Sequence, residues 1–525
     1  MKRNKIYTTF ACAALLTLGA CDDYLDTMPD NRATIDTEEK VTALLVSAYP
    51  DHDYNLLTEA CSDNVDDMGL SNPRSTRFIE QVYYWEDVTE SDNESPEQFW
   101  QASYNAIAVA NQALQSIEEM GGATTTTLQQ AQAEALLCRA YNHFMLVNVF
   151  ALNYNSETSA TDPGVTYMTE PETTVLVDYE RNSVAEVYEL IEKDLEAALP
   201  YVSDSYMSVP KYHFNPTAAY AFACRFYLYY EKWDKAIEYA DLVLGSSPKT
   251  MLRDYEYMGS MTQDDDAVTQ HYIDATLNCN LLLLTGYSRM GTFMGAYTTW
   301  KRFAHSPYTA NYEDAGATNI WGSSRNYYSG LKTYAGTNFS FSIFWRLPYL
   351  FEYTDAVAGI GYNRCVFPAF TTDECLLNRA EAKVMQKQYD EAAEDLDIWM
   401  HNFMETSLTL DPDTITNFYK KQSYSEPLSS TIKKHLNPAF EIDAEGSTQE
   451  CMLQCVLGFR RIETLQLGMR WFDVKRYGIE ICRRVMNASG TPETLVDILS
   501  VDDPRRAMQI PATVVDAGYE PNPRD

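Results

Sequence analysis

The sequence predicts a mostly α-helical protein, with helix pairs as a scaffold and one irregular, loop-rich stretch in the middle. Three observations predict it. Helical spacing of apolar residues dominates from about residue 41 to 245 and returns after about 370. A six-position pattern, Trp233, Ala236, Ile237, Ala240, Val243 and Leu244, recurs with the same spacing at Tyr389, Ala392, Ala393, Leu396, Trp399 and Met400. Between the two copies, residues 246–370 are rich in Gly, Ser, Thr, Asn and Tyr and carry few apolar stripes. With 525 residues, 45% of them hydrophobic, the chain can bury a large core.

The elements follow in order. Residues 21–40 are polar, with Pro29 blocking an early helix, and read as a tether. A stripe through Trp100, Tyr104, Ile107, Asn111 and Leu114 predicts one helix. Residues 128–150 are apolar on more than one face, as in a helix sandwiched between others. Ser183 and Glu186 form a capping box before the stripe Val184, Val187, Ile191, Leu195 and Ala198, which Pro200 ends. Each repeat copy is preceded by a further helix, at 216–230 and 373–386. The small residues Ala236 and Ala392 allow close helix approach beneath an aromatic ring. This is the packing logic of tetratricopeptide helix pairs, which need neighbours to bury their faces. In the middle stretch, Asn280–Tyr287 and Phe339–Trp345 read as strands.

The first twenty residues read as a secretory leader: Lys2, Arg3 and Lys5 precede an apolar run that is too short to span a bilayer. Its end, Leu18-Gly19-Ala20-Cys21, resembles a bacterial lipobox, which makes Cys21 the acylated N-terminus of a lipid-anchored protein. The formal charge of −35 repels polyphosphates and argues against nucleic acid as a partner. The 11 cysteines are scattered and, after Cys12 and Cys21, odd in number, so small buried thiols are expected rather than a disulfide scaffold.

Patterns for catalysis or metal binding are weak. No Cys-x-x-Cys pair occurs, and the seven histidines lack ligand spacing, so no metal or cofactor is expected. Asp51, Asp53 and Asn55 begin like a calcium loop, but Leu56 replaces its glycine and Ser62 its closing glutamate. Asp264, Asp265 and Asp266 read as a solvated turn, and Gly359-Ile360-Gly361 lacks the third glycine of a dinucleotide site.

Several segments together resemble the SusD/RagB family of outer-membrane nutrient-binding lipoproteins. They are the acidic start Cys21-Asp22-Asp23-Tyr24-Leu25-Asp26, the Trp100 stripe with Ala110-Asn111, and Ala133-Glu134-Ala135 through Arg139-Ala140-Tyr141. They continue in Glu374 to Ala382, in Gly468-Met469-Arg470-Trp471-Phe472-Asp473-Val474-Lys475-Arg476, and in Ile510-Pro511 and Asn522-Pro523. Leu467 stands where the family commonly has Glu, and Phe150-Ala151-Leu152-Asn153 replaces its usual turn. The resemblance implies a surface lipoprotein on the outer membrane that captures oligosaccharides or polysaccharides and passes them to a TonB-dependent transporter, without catalysis. Oligopeptide capture and glycan degradation are the alternatives. It divides the chain into a signal peptide (1–20), a lipidated tether (21–40), an N-terminal helical region (41–245), an aromatic-rich insertion (246–370) and a C-terminal region (371–525).

Sugars stack their C–H faces on aromatic rings and need polar partners for their hydroxyls. Rings in aperiodic sequence beside polar residues are therefore the expected contacts: Trp300, Trp321, Tyr327 and Tyr328, with Asn319 and Arg325. Trp85 joins them, because the polar stretch Glu86 to Pro96 reads as a loop. Trp100, Trp233 and Trp471 read as structural.

Overall fold

The computed structural model describes residues 35–69, 72, 74–172, 179–295, 302–335 and 340–524. The lipidation site predicted at Cys21 and the ring predicted at Trp300 lie outside the described residues.

The scaffold is helical. Helix α1 spans Glu38–Leu45, α2 Pro96–Glu119, α3 Thr126–Phe150, α4 Val184–Ala198, α5 Pro216–Tyr229 and α6 Trp233–Leu244. After the insertion come α7 Thr372–Met385, α8 Tyr389–Phe403, α9 Pro412–Tyr419, α10 Thr448–Glu463 and α11 Arg470–Arg476. Side-chain caps start most of them: Ser95 caps α2, Thr125 caps α3, and Ser183 forms the expected reciprocal box with Glu186. Pro200 ends α4 in a short 3-10 turn, Leu199–Tyr201. Helix α3 is buried on nearly all sides from Ala133 onward, as its all-round apolar sequence requires.

Each aromatic-alanine pattern forms the second helix of a pair, α5 with α6 and α7 with α8, and α6 packs directly on α7. The two pairs are therefore neighbours in space, and the insertion between them loops out. Ala236 and Ala392 are fully buried at the close approaches, each with its ring partly covered. Arg379 ties the pairs together: its guanidinium reaches Asp395 of α8 at 2.6 and 3.0 Å and Asp241 of α6 at 2.6 Å.

The insertion is more ordered than its composition suggests. Two short helices, Tyr255–Ser260 and Asp265–Tyr272, precede strand β2 at Asn280–Tyr287, where the sequence predicts one. Strand β2 pairs antiparallel with β7 (Ile360–Thr371), and β7 with β6 (Leu350–Asp355). Strand β7 runs straight into α7, which bolts this sheet to the second helix pair. The other predicted strand is β5 (Ser340–Phe344), paired with β4 (Leu331–Ala335). A second small sheet joins β1 (Asp66–Asp67), β3 (Phe303–Ala304), β8 (Ile481–Met486) and β9 (Pro492–Leu499).

The cysteines of the described residues are free, and all but the partly covered Cys482 are buried, as expected. The three weak motifs have structural roles. Asp53 accepts from the Asn55 backbone N–H at 3.0 Å at a helix start, Asp264 caps the helix Asp265–Tyr272, and Gly359 turns the β6–β7 hairpin.

Candidate functional site

The motif at 468–476 is the core of a buried charge network. Arg460 forks onto Asp473 at 2.8 and 2.6 Å, and Arg470 onto Asp63 at 2.8 and 2.9 Å. Glu381 accepts from Arg460, from Arg476 at 2.5 Å and from the Tyr477 hydroxyl at 2.8 Å. Burial pushes the Glu381 carboxyl up, but Arg460 and Arg476 outweigh it and hold it at about 2. Lys475, pushed down to about 7 by burial and by Arg506, donates to the carbonyls of Asn148 and Ala151 at the end of α3. These residues fasten elements distant in sequence, and Trp471 is buried among them, as its motif suggested.

The rings singled out from the sequence are mostly core. Trp85 is buried; its indole N–H donates to the Cys61 carbonyl at 3.0 Å and Arg483 lies 4.1 Å from its ring. Trp321 is buried against Phe459, stacked at 5.5 Å. Tyr328 is buried with its hydroxyl on the Trp345 carbonyl at 2.8 Å, and Asn319 is buried, accepting from Tyr419 at 2.9 Å. These four expectations are corrected: the long loops fold back on the helices and spend their rings on packing. Tyr327 stays half-buried, and Arg325 is exposed, paired with Glu405 at 2.9 Å. Trp321→Ala is accordingly expected to lower stability by ~3 kcal/mol, read as a lower urea midpoint.

Burial also decides about acids. Asp373 is pushed up to about 7 by burial and by Glu463. Asp314 is pushed up to about 6 by burial, which the nearby Arg461 and His305 only partly offset. Both side chains are sealed from solvent, so neither presents an oxygen to a substrate.

A cleft of about 580 Å³ opens where the chain after α1, helix α2, the 3-10 turn Pro210–Tyr212 and the β2–β7 sheet converge. Its walls include Tyr49, Asp51, Asn105, Tyr212, His213, Thr285 and Arg364. Beneath it lies the buried carboxylate of Glu134, which accepts from the Tyr49 hydroxyl at 2.6 Å, from His213 Nδ1 at 2.7 Å and from the Tyr206 hydroxyl. The Tyr49 hydroxyl also accepts from the Phe214 N–H at 2.7 Å, so its ring orientation is fixed on both sides. On the sheet wall, the Arg364 guanidinium lies 3.6 Å from the centroid of Tyr287 and donates to Glu352 at 2.6 Å. Tyr362, 51% exposed, meets Tyr287 edge-on at 5.3 Å. Strand alternation puts Tyr362, Arg364, Tyr287 and Thr285 on one sheet face. The arrangement combines ring surfaces with exposed hydrogen-bonding groups on a rigid frame. The sequence does not reveal it, because its walls come from five distant stretches; Glu134 lies in a family-like segment and Tyr287 ends a predicted strand, but nothing local links them.

A family model described as "Starch-binding associating with outer membrane", of the SusD-like type, matches residues 23–228. No curated protein matches the chain. Among solved structures, a SusD superfamily protein from Bacteroides thetaiotaomicron is similar at 19% identity, covering 93% of this chain and 100% of its own, with a TM-score of 0.60. A SusD superfamily protein from Bacteroides vulgatus is similar at 18% identity, covering 94% and 99%, with a TM-score of 0.61. A SusD-like carbohydrate binding protein from Bacteroides vulgatus is similar at 16% identity, covering 92% and 96%, with a TM-score of 0.59. The chain thus has the SusD-superfamily fold over nearly its whole length, and its N-terminal part carries the sequence pattern of the SusD-like family.

Proposed function

We propose that this protein is a surface lipoprotein, anchored in the outer membrane through acylated Cys21, that binds oligosaccharides or polysaccharides and delivers them to a TonB-dependent transporter. The cleft carries the reading. Tyr212 in the lining and Tyr362, exposed beside it on the sheet face of Arg364, offer ring surfaces, and Asn105, Asp51 and Arg364 offer partners for sugar hydroxyls. Tyr327 and Arg325, away from the cleft lining, are retained as proposed contacts, and so is Trp300, which lies outside the described residues. The model name and the solved carbohydrate-binding relative support the substrate class.

Affinity electrophoresis in gels containing neutral polysaccharides tests this. The wild-type protein is expected to be retarded by at least one of them. Arg364→Ala together with Tyr362→Ala is expected to weaken that binding about tenfold or more, from the lost charged hydrogen bond and ring contact, while the urea midpoint stays close to wild type. Unchanged retardation of the double variant would remove the cleft from the binding surface. Absence of retardation by any polysaccharide would sink the glycan reading.

One observation favours peptide capture as the second reading. Among the described residues, β6 pairs only with β7, so its outer edge is open to an extended peptide strand. A peptide that binds where no glycan does would select it.

A further inference from the structure

We infer that a pocket on the far face of α2 is a binding site for a small organic cation of the alkylammonium class. The pocket holds about 200 Å³, room for roughly six or seven water-sized groups at ~30 Å³ each. Four aromatic side chains, Trp100, Tyr104, Tyr179 and Tyr519, and two acidic ones, Glu170 and Glu172, line it. Among the described residues, the rest of the lining is apolar except for Asn111 and Thr166 and includes no Lys or Arg.

Hydrogen bonding within the walls decides the ligand class. The Tyr104 hydroxyl donates to the Thr166 carbonyl at 2.9 Å, and the Tyr519 hydroxyl is occupied by Thr166 at 3.0 and 3.1 Å. The Asn111 amide donates to the carbonyls of Met168 and Glu170 at 3.1 and 3.3 Å, and its oxygen accepts from Arg139 at 3.0 Å. The neutral polar groups are therefore spent on the protein, which leaves π surfaces and carboxylates to face a guest. A neutral sugar would find few hydroxyl partners there. An ammonium group in an apolar shell finds both of its preferred contacts: ring faces, and negative charge at the rim.

The rings are held for this. Trp100 lies 4.9 Å from Tyr104 and meets Tyr519 at 5.6 Å and 76°, forming a corner of aromatic walls. Tyr179 bonds Glu172, which keeps that carboxylate at the opening. Two cations stand behind the walls, outside the lining: Arg139 forks onto Asp194 at 2.7 Å, and Arg181, 5.6 Å from the Tyr519 centroid, is tied to the carbonyls of Pro163, Gly164 and Glu520 and to Asn522. Helix α2 thus serves two sites with two faces: Ala102, Asn105, Ala106 and Val109 on the cleft, and Trp100, Tyr104, Ile107, Ala108 and Asn111 on this pocket. The pocket does not depend on the glycan reading of the cleft.

Calorimetric titration of the purified full chain with choline chloride and with its neutral isostere 3,3-dimethylbutan-1-ol is the test. Choline is expected to bind about tenfold more tightly than the isostere. Tyr519→Leu, and separately Glu170→Gln with Glu172→Gln, are each expected to weaken choline severalfold. The acidic pair is exposed, so that variant keeps the test valid even where Tyr519→Leu disturbs the C-terminal packing. Equal affinity for the two probes, no binding of either at millimolar concentration, or choline binding unmoved by the acidic double variant would each overturn the assignment.

Discussion

Glu381→Gln is expected to lower stability by about 3–5 kcal/mol at pH 7, seen as a large drop in the urea unfolding midpoint. The side chain is fully buried and accepts from Arg460, Arg476 and the Tyr477 hydroxyl. Glutamine has nearly the same shape, so packing is preserved and the loss is electrostatic. Two buried guanidinium groups would then share Asp473, which lies 2.6 Å from Arg460 and 3.5 Å from Arg476. The sign of the pH dependence follows from the depressed carboxyl. A group held at about 2 when folded, against about 4.3 when unfolded, adds stability that is complete above the unfolded value and disappears as pH falls toward 2. The gap between wild type and Glu381→Gln should therefore narrow by about 3 kcal/mol between pH 6 and pH 2. Parallel stability curves over that range would show that Glu381 contributes by packing instead.

Gly468→Ala is expected to be destabilising to a similar degree, about 3–5 kcal/mol. Its φ of +69° lies in the left-handed region, where an alanine is strained. Space is the larger problem. An added Cβ would stand 2.0 Å from Thr58 Oγ1 and 2.9 Å from the Asn55 carbonyl oxygen, in the buried helix Asn55–Cys61. The Thr58 side chain is itself held by a bond to the Tyr54 carbonyl at 3.0 Å, so relief requires moving helix backbone. Pairing Gly468→Ala with Thr58→Gly would recover part of the loss while leaving the backbone strain. Wild-type stability in the single variant would contradict the close approach.

These two positions show what a linear reading captures. The run from Gly468 to Arg476 stands out by residue type, and its partners Glu381 and Asp63 lie 95 and 407 residues away along the chain. A motif announces that charges are needed; it does not say which distant acid meets them. The capping box at Ser183, the strand at 280–287 and the repeated helix pairs were legible, because caps, alternation and helical spacing are local and periodic. The ligand surface was not. Trp85, Trp321 and Tyr328 sit in aperiodic sequence and read as ligand contacts, yet Arg483, Phe459 and the Trp345 carbonyl cover them. An irregular stretch reveals the absence of a helix face but carries no information about which side of a ring meets solvent.

Local spacing and residue type by themselves determined the helical scaffold and its two matching helix pairs. Tertiary structure alone decided that α6 meets α7 across that insertion and that Glu134 underlies Tyr49 and His213. It also decided that opposite faces of α2 border a polar cleft and an aromatic pocket. The physical reason is range: hydrogen bonds within a helix or hairpin close over a few residues, whereas burial and charge pairing are settled only when distant segments compete for the same space.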